Sequence, residues 1–472
     1  MTQHYRRGAV HKFGGTSVIN AKQDKAIISG AVNTFRTIRN YTDEGYMVIV
    51  LSGIGKTDST QEGRKATDHA YDIVKGIHPD CAWRNIKGLY QRNIAEHGLD
   101  TKLLEPSFRD IEKILASGNI DKVAEARIVG FPERAKVRLA YEVAKVMYKD
   151  TQFAIIDGRT GMVGQANGNY RDVPIDHSAS LDAIAELARD KDLKGKVIFV
   201  PGFVGTRAKI TGRAVTLERG SSDATATYWG SALDLDEVVI FSDQSGILPI
   251  DPRIVPDVKP LEQLTYRETA VFAGLGASII QDVAIRPAEE RRIPVVVRHS
   301  SGNNGVGTSI GVCPPSLDHF GVKAIAADTG YYLITVQNVR MNETGIAQHI
   351  QGMFAQSGFN IAYHQDGDDC LVFGVKDDGD LNQLLGNLGK NHQVSLDTPM
   401  TRLALVGEGI NAYRHLNPHQ SARDLFTDVL AENDIPDLAY SRVDGAISLS
   451  TFIPERYTEL ALQKLARSLK FK

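Results

Sequence analysis

Three cysteines in 472 residues, Cys81, Cys313 and Cys370, form no CxxC pair and no Cys/His cluster at zinc spacing. That argues for a reducing compartment and against a structural metal. No stretch approaches the roughly 18 consecutive apolar residues that span a bilayer, and the polar start MTQHYRRGAVHKFGG carries no apolar signal segment; a cytoplasmic protein is expected. An excess of one charge is also missing. Lys plus Arg is 54 and Asp plus Glu is 57, a formal net charge of −3, so neither nucleic acid nor an anionic membrane is an expected partner. A GxxxxGK[ST] phosphate loop is absent as well. With 42% apolar and 24% charged residues, the composition is that of a folded chain, long enough for roughly two to four domains. The one surplus is glycine, 43 residues, or about 9% against roughly 7% on average.

The first half alternates short β-branched runs with amphipathic stretches. Residues 47–53, 153–158, 196–203, 237–243 and 293–299 each read as a strand buried on both faces, and 180–192 and 221–234 as helices between them. This alternation implies an α/β domain with a mainly parallel central sheet flanked by helices, whose ligands bind beyond the carboxyl ends of the strands. Residues 61–130 read as a mainly helical subregion, either a packed excursion or a lid. The stretch GNNGVGTSIGVCPPS (302–316) marks a junction. Beyond it, two consecutive β-α-β-β-α patterns of about 75 residues predict two ferredoxin-like α+β modules. The expected boundaries are 1–312, 316–396 and 397–472, with interlocking of the last two left open.

Three polar segments sit at predicted strand ends. Lys12-Phe13-Gly14-Gly15-Thr16-Ser17 joins a strand to a helix; adjacent glycines let backbone amides approach an anion, and a lysine beside them places full charge there. Leu217 to Thr225, LERGSSDAT, leads into a helix whose positive end gathers amide and hydroxyl donors. Ser242-Asp243-Gln244-Ser245-Gly246 ends an apolar strand. Taken singly, each is also explained by an ordinary turn or helix cap.

In order along the chain, KFGGTSV, LSG with KTDS, GFPERAKVRLA, PGFVGT with TLERGSSDAT, and SDQSGILPIDPRIV resemble the aspartate kinases of the amino-acid kinase family. NETGIAQHIQGMFAQSGFNI and LVGEG resemble the tandem ACT modules of the same enzymes. The resemblance covers nearly the whole chain and is weakest over 61–130. It implies the amino-acid kinase fold followed by two ACT modules, and phosphorylation of the L-aspartate β-carboxylate by ATP, with Mg²⁺ held mainly through the nucleotide phosphates. The reaction opens the route to lysine, threonine and methionine.

The resemblance further implies that Lys12 contacts the transferring phosphoryl group while Gly14, Gly15, Thr16 and Ser17 cradle phosphate, and that Asp223 orients Lys12. Ser52, Thr57, Glu133, Arg219 and Ser222 would line the substrate pocket, Glu133 gripping the amino group and Arg219 the α-carboxylate. Ser242, Asp243, Leu248, Arg253 and Ser278 fall at nucleotide positions. Met341, Thr344, Gly345 and Ile346 fall in an effector loop, implying lysine or threonine feedback, and side-by-side pairing of ACT modules implies a homodimer.

This chain departs from the family pattern mainly on the nucleotide side. Leu248 stands where a tyrosine is usual, Ser278 replaces a nucleotide-touching lysine, and Gln281-Asp282 replaces a His-Pro pair. Two other readings therefore stand beside the first: a diverged kinase for a related acidic substrate, and a non-catalytic amino-acid sensor. Retention of Lys12 and Asp223 speaks against the sensor, which has no use for a phosphate-facing lysine.

Overall fold

A computed structural model of the chain describes residues 7–17, 20–40, 45–55, 64–166, 168–207, 210–218, 220–276, 280–300, 307–312, 321–339, 345–410, 421–438 and 447–471. These form two compact units.

The first unit comprises Met1–Ile247, Glu262–Tyr266 and Ile280–Val312. Its strands are β1 Gly8–Phe13, β2 Tyr46–Leu51, β3 Phe153–Ile155, β4 Val163–Gly164, β5 Val197–Pro201, β6 Val204–Arg207, β7 Ile210–Thr216, β8 Glu237–Ser242, β9 Gln263–Thr265, β10 Val295–His299 and β11 Thr308–Gly311. Its helices are α1 Ala21–Arg39, α2 Ala66–Val74, α3 Pro79–Glu96, α4 Glu105–Ala116, α5 Lys122–Val129, α6 Phe131–Met147, α7 His177–Asp190 and α8 Ser221–Ala232. Helix α9, Tyr266–Gly274, lies almost wholly in the second unit, and α10, Asp282–Arg291, in the first.

Eight strands form one sheet in the order β3-β5-β2-β1-β8-β10-β11-β9, and β4, β6 and β7 form a small second sheet. Strand β1 is hydrogen-bonded in parallel to β2 on one side and to β8 on the other. The connections from β1 run to one half of the sheet and those from β8 to the other, so the crevice beyond their carboxyl ends is a topological switch point. Side chains of β1 alternate. Ala9 and Phe13 enter a core shared with α1, α3, α4 and α6, built around Phe35, Trp83, Phe108 and Phe131, while Val10 and Lys12 point to the opposite face, where α8 packs on β1. Of residues 61–130, those described, 64–130, supply α2, α3, α4 and α5.

The second unit comprises Leu248–Leu261, Arg267–Ile279 and Cys313–Lys472. The first compact unit is therefore not the contiguous stretch to residue 312 that the sequence suggests. Burial explains the difference: Ile250 and Val258 insert into an apolar core with Leu403, Phe426 and Leu465. Glu268, fully buried at 0% exposure, pairs with Lys323 at 2.7 Å and accepts the backbone N–H of Glu408 at 2.7 Å.

The remaining elements of this unit are β12 Ala324–Gln337, α11 Ile346–Gln356, β13 Ile361–Asp366, β14 Cys370–Lys376, α12 Leu381–Leu388, β15 Gln393–Val406, α13 Ala422–Glu432, β16 Ser448–Pro454 and α14 Thr458–Ser468. Their five strands make a single antiparallel sheet, β13-β14-β12-β15-β16. Strands β12 and β15 pair from Ala324 opposite Val406 to Gln337 opposite Gln393, with irregularities between Asp328 and Leu333. One end packs on α11 and α12 around Phe354 and Phe373, and the other on α13 and α14 around Phe426. The five strands thus share one sheet, and the 396/397 boundary expected from the sequence falls inside β15.

Tyr331, Leu333, Tyr363, Met400 and Phe452 close the junction between the two ends. A Cβ on Gly374 would lie 2.5 Å from the Phe452 ring, which is why this strand position has no side chain. Gly374→Ala should overpack the junction and lower stability by about 1–3 kcal/mol, and adding Phe452→Leu should recover part of that loss. Urea unfolding of the two variants checks this; an unchanged Gly374→Ala midpoint would contradict the packing.

Candidate active site

Lys12 ends its strand on the α8 face, and α8 starts directly beneath it. Gly220, at φ +86°, precedes the helix, and Ser221, Ser222 and Asp223 form its first turn. Lys12 Nζ lies 2.6 Å from Asp223 Oδ1, and both side chains are only 12% exposed. The helix start also presents its positive end toward the same point.

Two turns close over this pair. Past β1, the Gly15 carbonyl accepts the N–H of Gly55 at 2.9 Å, and Phe13 accepts that of Ser52 at 3.1 Å. A Cβ on Gly55 would collide with the Gly15 carbonyl, so the two backbones meet only because no side chain intervenes. Ser52 Oγ donates to Ser222 Oγ at 3.1 Å, tying the end of β2 to α8.

Glu133 enters from the first turn of α6, where Pro132 occupies a position whose N–H has no helical partner. Its residue exposure is 4%. Oε1 accepts the Thr67 hydroxyl at 3.3 Å, while Oε2 is buried with no protein partner among the described residues. Burial pushes this carboxyl up to about 7, against the opposing pull of N–H groups, including that of Gly53, and of Thr67.

Lys12, Gly14, Gly15, Ser52, Glu133, Ser222 and Asp223 all line one cavity of about 390 Å³. Thr16, Ser17 and Asp243 instead border a second cavity of about 820 Å³ between α1 and the ends of β1, β8 and β10. At its rim Ser17 Oγ and Ser300 Oγ are 2.5 Å apart, and Ser300 Oγ donates to the Ser242 carbonyl at 2.6 Å. Leu248 packs at the edge of the second unit's core, and the exposed Arg253 is ion-paired to Asp251 at 2.6 Å. Gly345, at φ +83°, caps α11, where Ile346 begins the helix and packs on its core. Thr57, Arg219, Ser278, Met341 and Thr344 lie outside the described residues.

The smaller cavity has further walls that the motifs did not single out: Lys65, Thr67, Asp68 and Tyr71 from α2, and Phe203. Phe203 is held at φ +66° and buried to 5%, a costly conformation for a bulky residue and common at functional sites. A signal for α2 lies in KATD at 65–68, which carries the same Lys, Thr and Asp as KTDS at 56–59 and leads into an amphipathic helix.

The chain matches the model of the amino acid kinase family over residues 8–299. Aspartokinase 2 of Arabidopsis thaliana chloroplasts is 31% identical over 310 residues, 64% of this chain and 54% of that protein, so the chain spans about half the length of this relative. The aspartokinase of Geobacillus stearothermophilus is 24% identical over 464 residues, 97% of this chain and 95% of its own. Among solved structures, E. coli aspartokinase III in complex with aspartate and ADP superposes with a TM-score of 0.78 at 22% identity, covering 98% of this chain and 99% of that one. At that identity the likeness establishes the fold.

A carboxyl whose folded pKa lies above its unfolded value favours the native state fully below about 4.5, and that contribution is lost as pH rises to about 7. Glu133→Gln removes the ionisation. The variant should match the unliganded wild type near pH 4 and exceed its stability at pH 8 by on the order of 3 kcal/mol at most. Denaturant unfolding at several pH values checks this; a gap that does not widen with pH would contradict the burial of an unpaired carboxylate.

Proposed function

The chain belongs to the amino acid kinase family, and we propose that it is an aspartokinase, transferring the γ-phosphoryl group of MgATP to the β-carboxylate of L-aspartate. The observation that carries this reading is the pairing within one cavity of a charge-satisfied lysine, Lys12 on Asp223, with a buried carboxylate, Glu133, whose second oxygen has no protein partner among the described residues. The first arrangement suits a phosphoryl group and the second an ammonium. The full-length likeness to aspartokinases supports the same reading.

The chemistry needs little beyond position and charge. An aspartate β-carboxylate ordinarily titrates at about 3.9 and is ionised at neutral pH, so no general base is required. In a loose phosphoryl-transfer transition state, negative charge spreads over the equatorial oxygens, and Lys12 with the amides of the Gly14-Gly15 turn stabilises it. Asp223 keeps Lys12 oriented and takes no proton. Glu133 Oε2 receives the substrate ammonium, Thr67 fixes the other oxygen, and Ser52 and Ser222 line the pocket. Arg219, one residue before Gly220, supplies the planar fork for the α-carboxylate. Thr57 is a further acceptor-side position by resemblance.

On the donor side, Gly14, Gly15, Thr16 and Ser17 receive the phosphates, and Mg²⁺ arrives with them. Ser242 and Asp243 serve the nucleoside, with Leu248, Arg253 and Ser278 the further positions that the resemblance assigns. The second unit is read as a pair of ACT modules that take lysine or threonine at the loop of Met341, Thr344, Gly345 and Ile346 and pair in a homodimer. No helix among the described residues is long and apolar enough to cross a membrane, and a cytoplasmic location is proposed.

Purified protein with MgATP should release ADP only when L-aspartate is added, within a panel of acidic amino acids. Asp223→Ala should lower turnover by more than about tenfold with an unchanged melting profile, and Arg219→Ala should raise the aspartate KM. No ADP release with any acidic amino acid would contradict the reading and favour a sensor; near-normal turnover in folded Asp223→Ala would defeat the role given to the ion pair.

A further inference from the structure

Helix α3 belongs to the helical subregion that no motif explains, yet it carries a polar face into the core. Tyr90 and Asn93 are 0% and 3% exposed, and the side chain of His97, at the helix end, is fully buried. The spacing of three and four residues puts all three on one side. Tyr90 Oη donates to the carbonyl of Pro132 at 2.5 Å, and the N–H of Ile54 approaches the same hydroxyl at 3.5 Å. Asn93 Oδ1 accepts from Lys136 Nζ at 3.3 Å.

Lys136 is the next turn of α6 after Glu133. It is 0% exposed, a rare state for a lysine. Its ammonium donates to Asp24 Oδ2 at 2.6 Å, and His97 Nε2 lies 2.8 Å from the same oxygen. Asp24 is 3% exposed and stands in the first turn of α1, the helix that follows the glycine turn of β1. Burial alone would raise the pKa of its carboxyl, but the charges and hydrogen bonds of Lys136 and His97 together outweigh burial and hold it below the usual range. The bonds join residues 112 and 73 positions apart in sequence.

Buried ion pairs contribute little net stability, because desolvation offsets the attraction, and well-packed apolar residues often do as well. What a buried pair does supply is a single fixed geometry. Here the fixed parts are the helix that follows the phosphate-facing turn and the helix turn that presents Glu133. Tyr90 fixes the same turn from its other end, through the residue just before Glu133.

We propose that the polar face of α3, with the Asp24–Lys136 ion pair, is a brace that sets Glu133 relative to the glycine turn of β1, making Asp24, Lys136 and Tyr90 positioning residues for the amino-acid acceptor. This rests on the reading of Glu133 as the ammonium receptor. The residues of the brace touch neither substrate; they act through the first turn of α6.

The test is a charge-pair deletion. Asp24→Asn leaves the buried Lys136 ammonium without its counter-charge, and Lys136→Met leaves the buried Asp24 carboxylate with His97 only, so each should lose stability. The double variant Asp24→Asn/Lys136→Met removes both charges and should recover most of the melting temperature. If the pair positions Glu133, the double variant keeps an aspartate KM raised by about tenfold while the ATP KM stays within about twofold. Tyr90→Phe, which removes one hydroxyl, should raise the aspartate KM in the same direction with the fold intact, and it serves if the charge variants do not fold. Hydrogen exchange at residues 130–134 should accelerate in the same variants and needs no substrate. It therefore judges the brace even if the wild type shows no aspartate-dependent activity, an outcome that would sink the functional reading separately. A double variant or Tyr90→Phe with wild-type aspartate KM and wild-type exchange overturns the proposal.

Discussion

The ion pair between Lys12 and Asp223 is the contact on which the site depends. It joins the end of the central strand to the first turn of α8 and gives a largely enclosed lysine its counter-charge. Without Asp223, the lysine would lose the ion-pair partner that holds its ammonium in place. The neighbouring carboxylate is in the opposite condition. Glu133 is as deeply enclosed, yet one of its oxygens has no partner among the described residues, and its pKa rises to about 7. Of these two acidic side chains in one cavity, Asp223 neutralises a cation of the protein, while Glu133 keeps an oxygen with no partner among the described residues.

That arrangement is built from segments far apart in the chain. The glycine turns after β1 and β2 touch because neither carries a side chain at the contact, α8 starts beneath them, and α6 delivers Glu133 from across the helical subregion. Thr67 of α2 then fixes one oxygen of Glu133. The subregion is therefore part of the site's support, through α2 directly and through the buried face of α3. A buried carboxyl oxygen with no partner among the described residues carries a desolvation cost, which a bound ammonium would offset.

The strands, the α/β class and the glycine turn at Gly14 and Gly15 were legible because hydrophobic runs and strand-end glycines are local signals. Lys12, Glu133, Ser222 and Asp223 were legible from their motifs, and the cavity brings them together. What stayed hidden was long-range. Thr67 and Thr57 sit in similar polar runs of the sequence, and only Thr67 lies among the described residues. Asp24, His97 and Lys136 look like surface residues on three amphipathic helices until packing brings them together. In the second unit, each module's period was visible, but nothing in a 14-residue strand such as β15 announces that its two ends serve different cores. Nor does the sequence show that Ile250 and Val258, shortly after Asp243, are buried with residues from the carboxyl-terminal part of the chain.

With its pKa raised to about 7 by burial, Glu133 is partly protonated near neutral pH, and the substrate ammonium proposed to sit on it should drive it to ionise. Calorimetric titration with L-aspartate at pH 6.5, in two buffers of different ionisation enthalpy, measures the protons exchanged on binding. With a free-state pKa of about 7, binding should release a large fraction of one proton from the wild type and almost none from Glu133→Gln. Binding without proton release in the wild type would contradict the account.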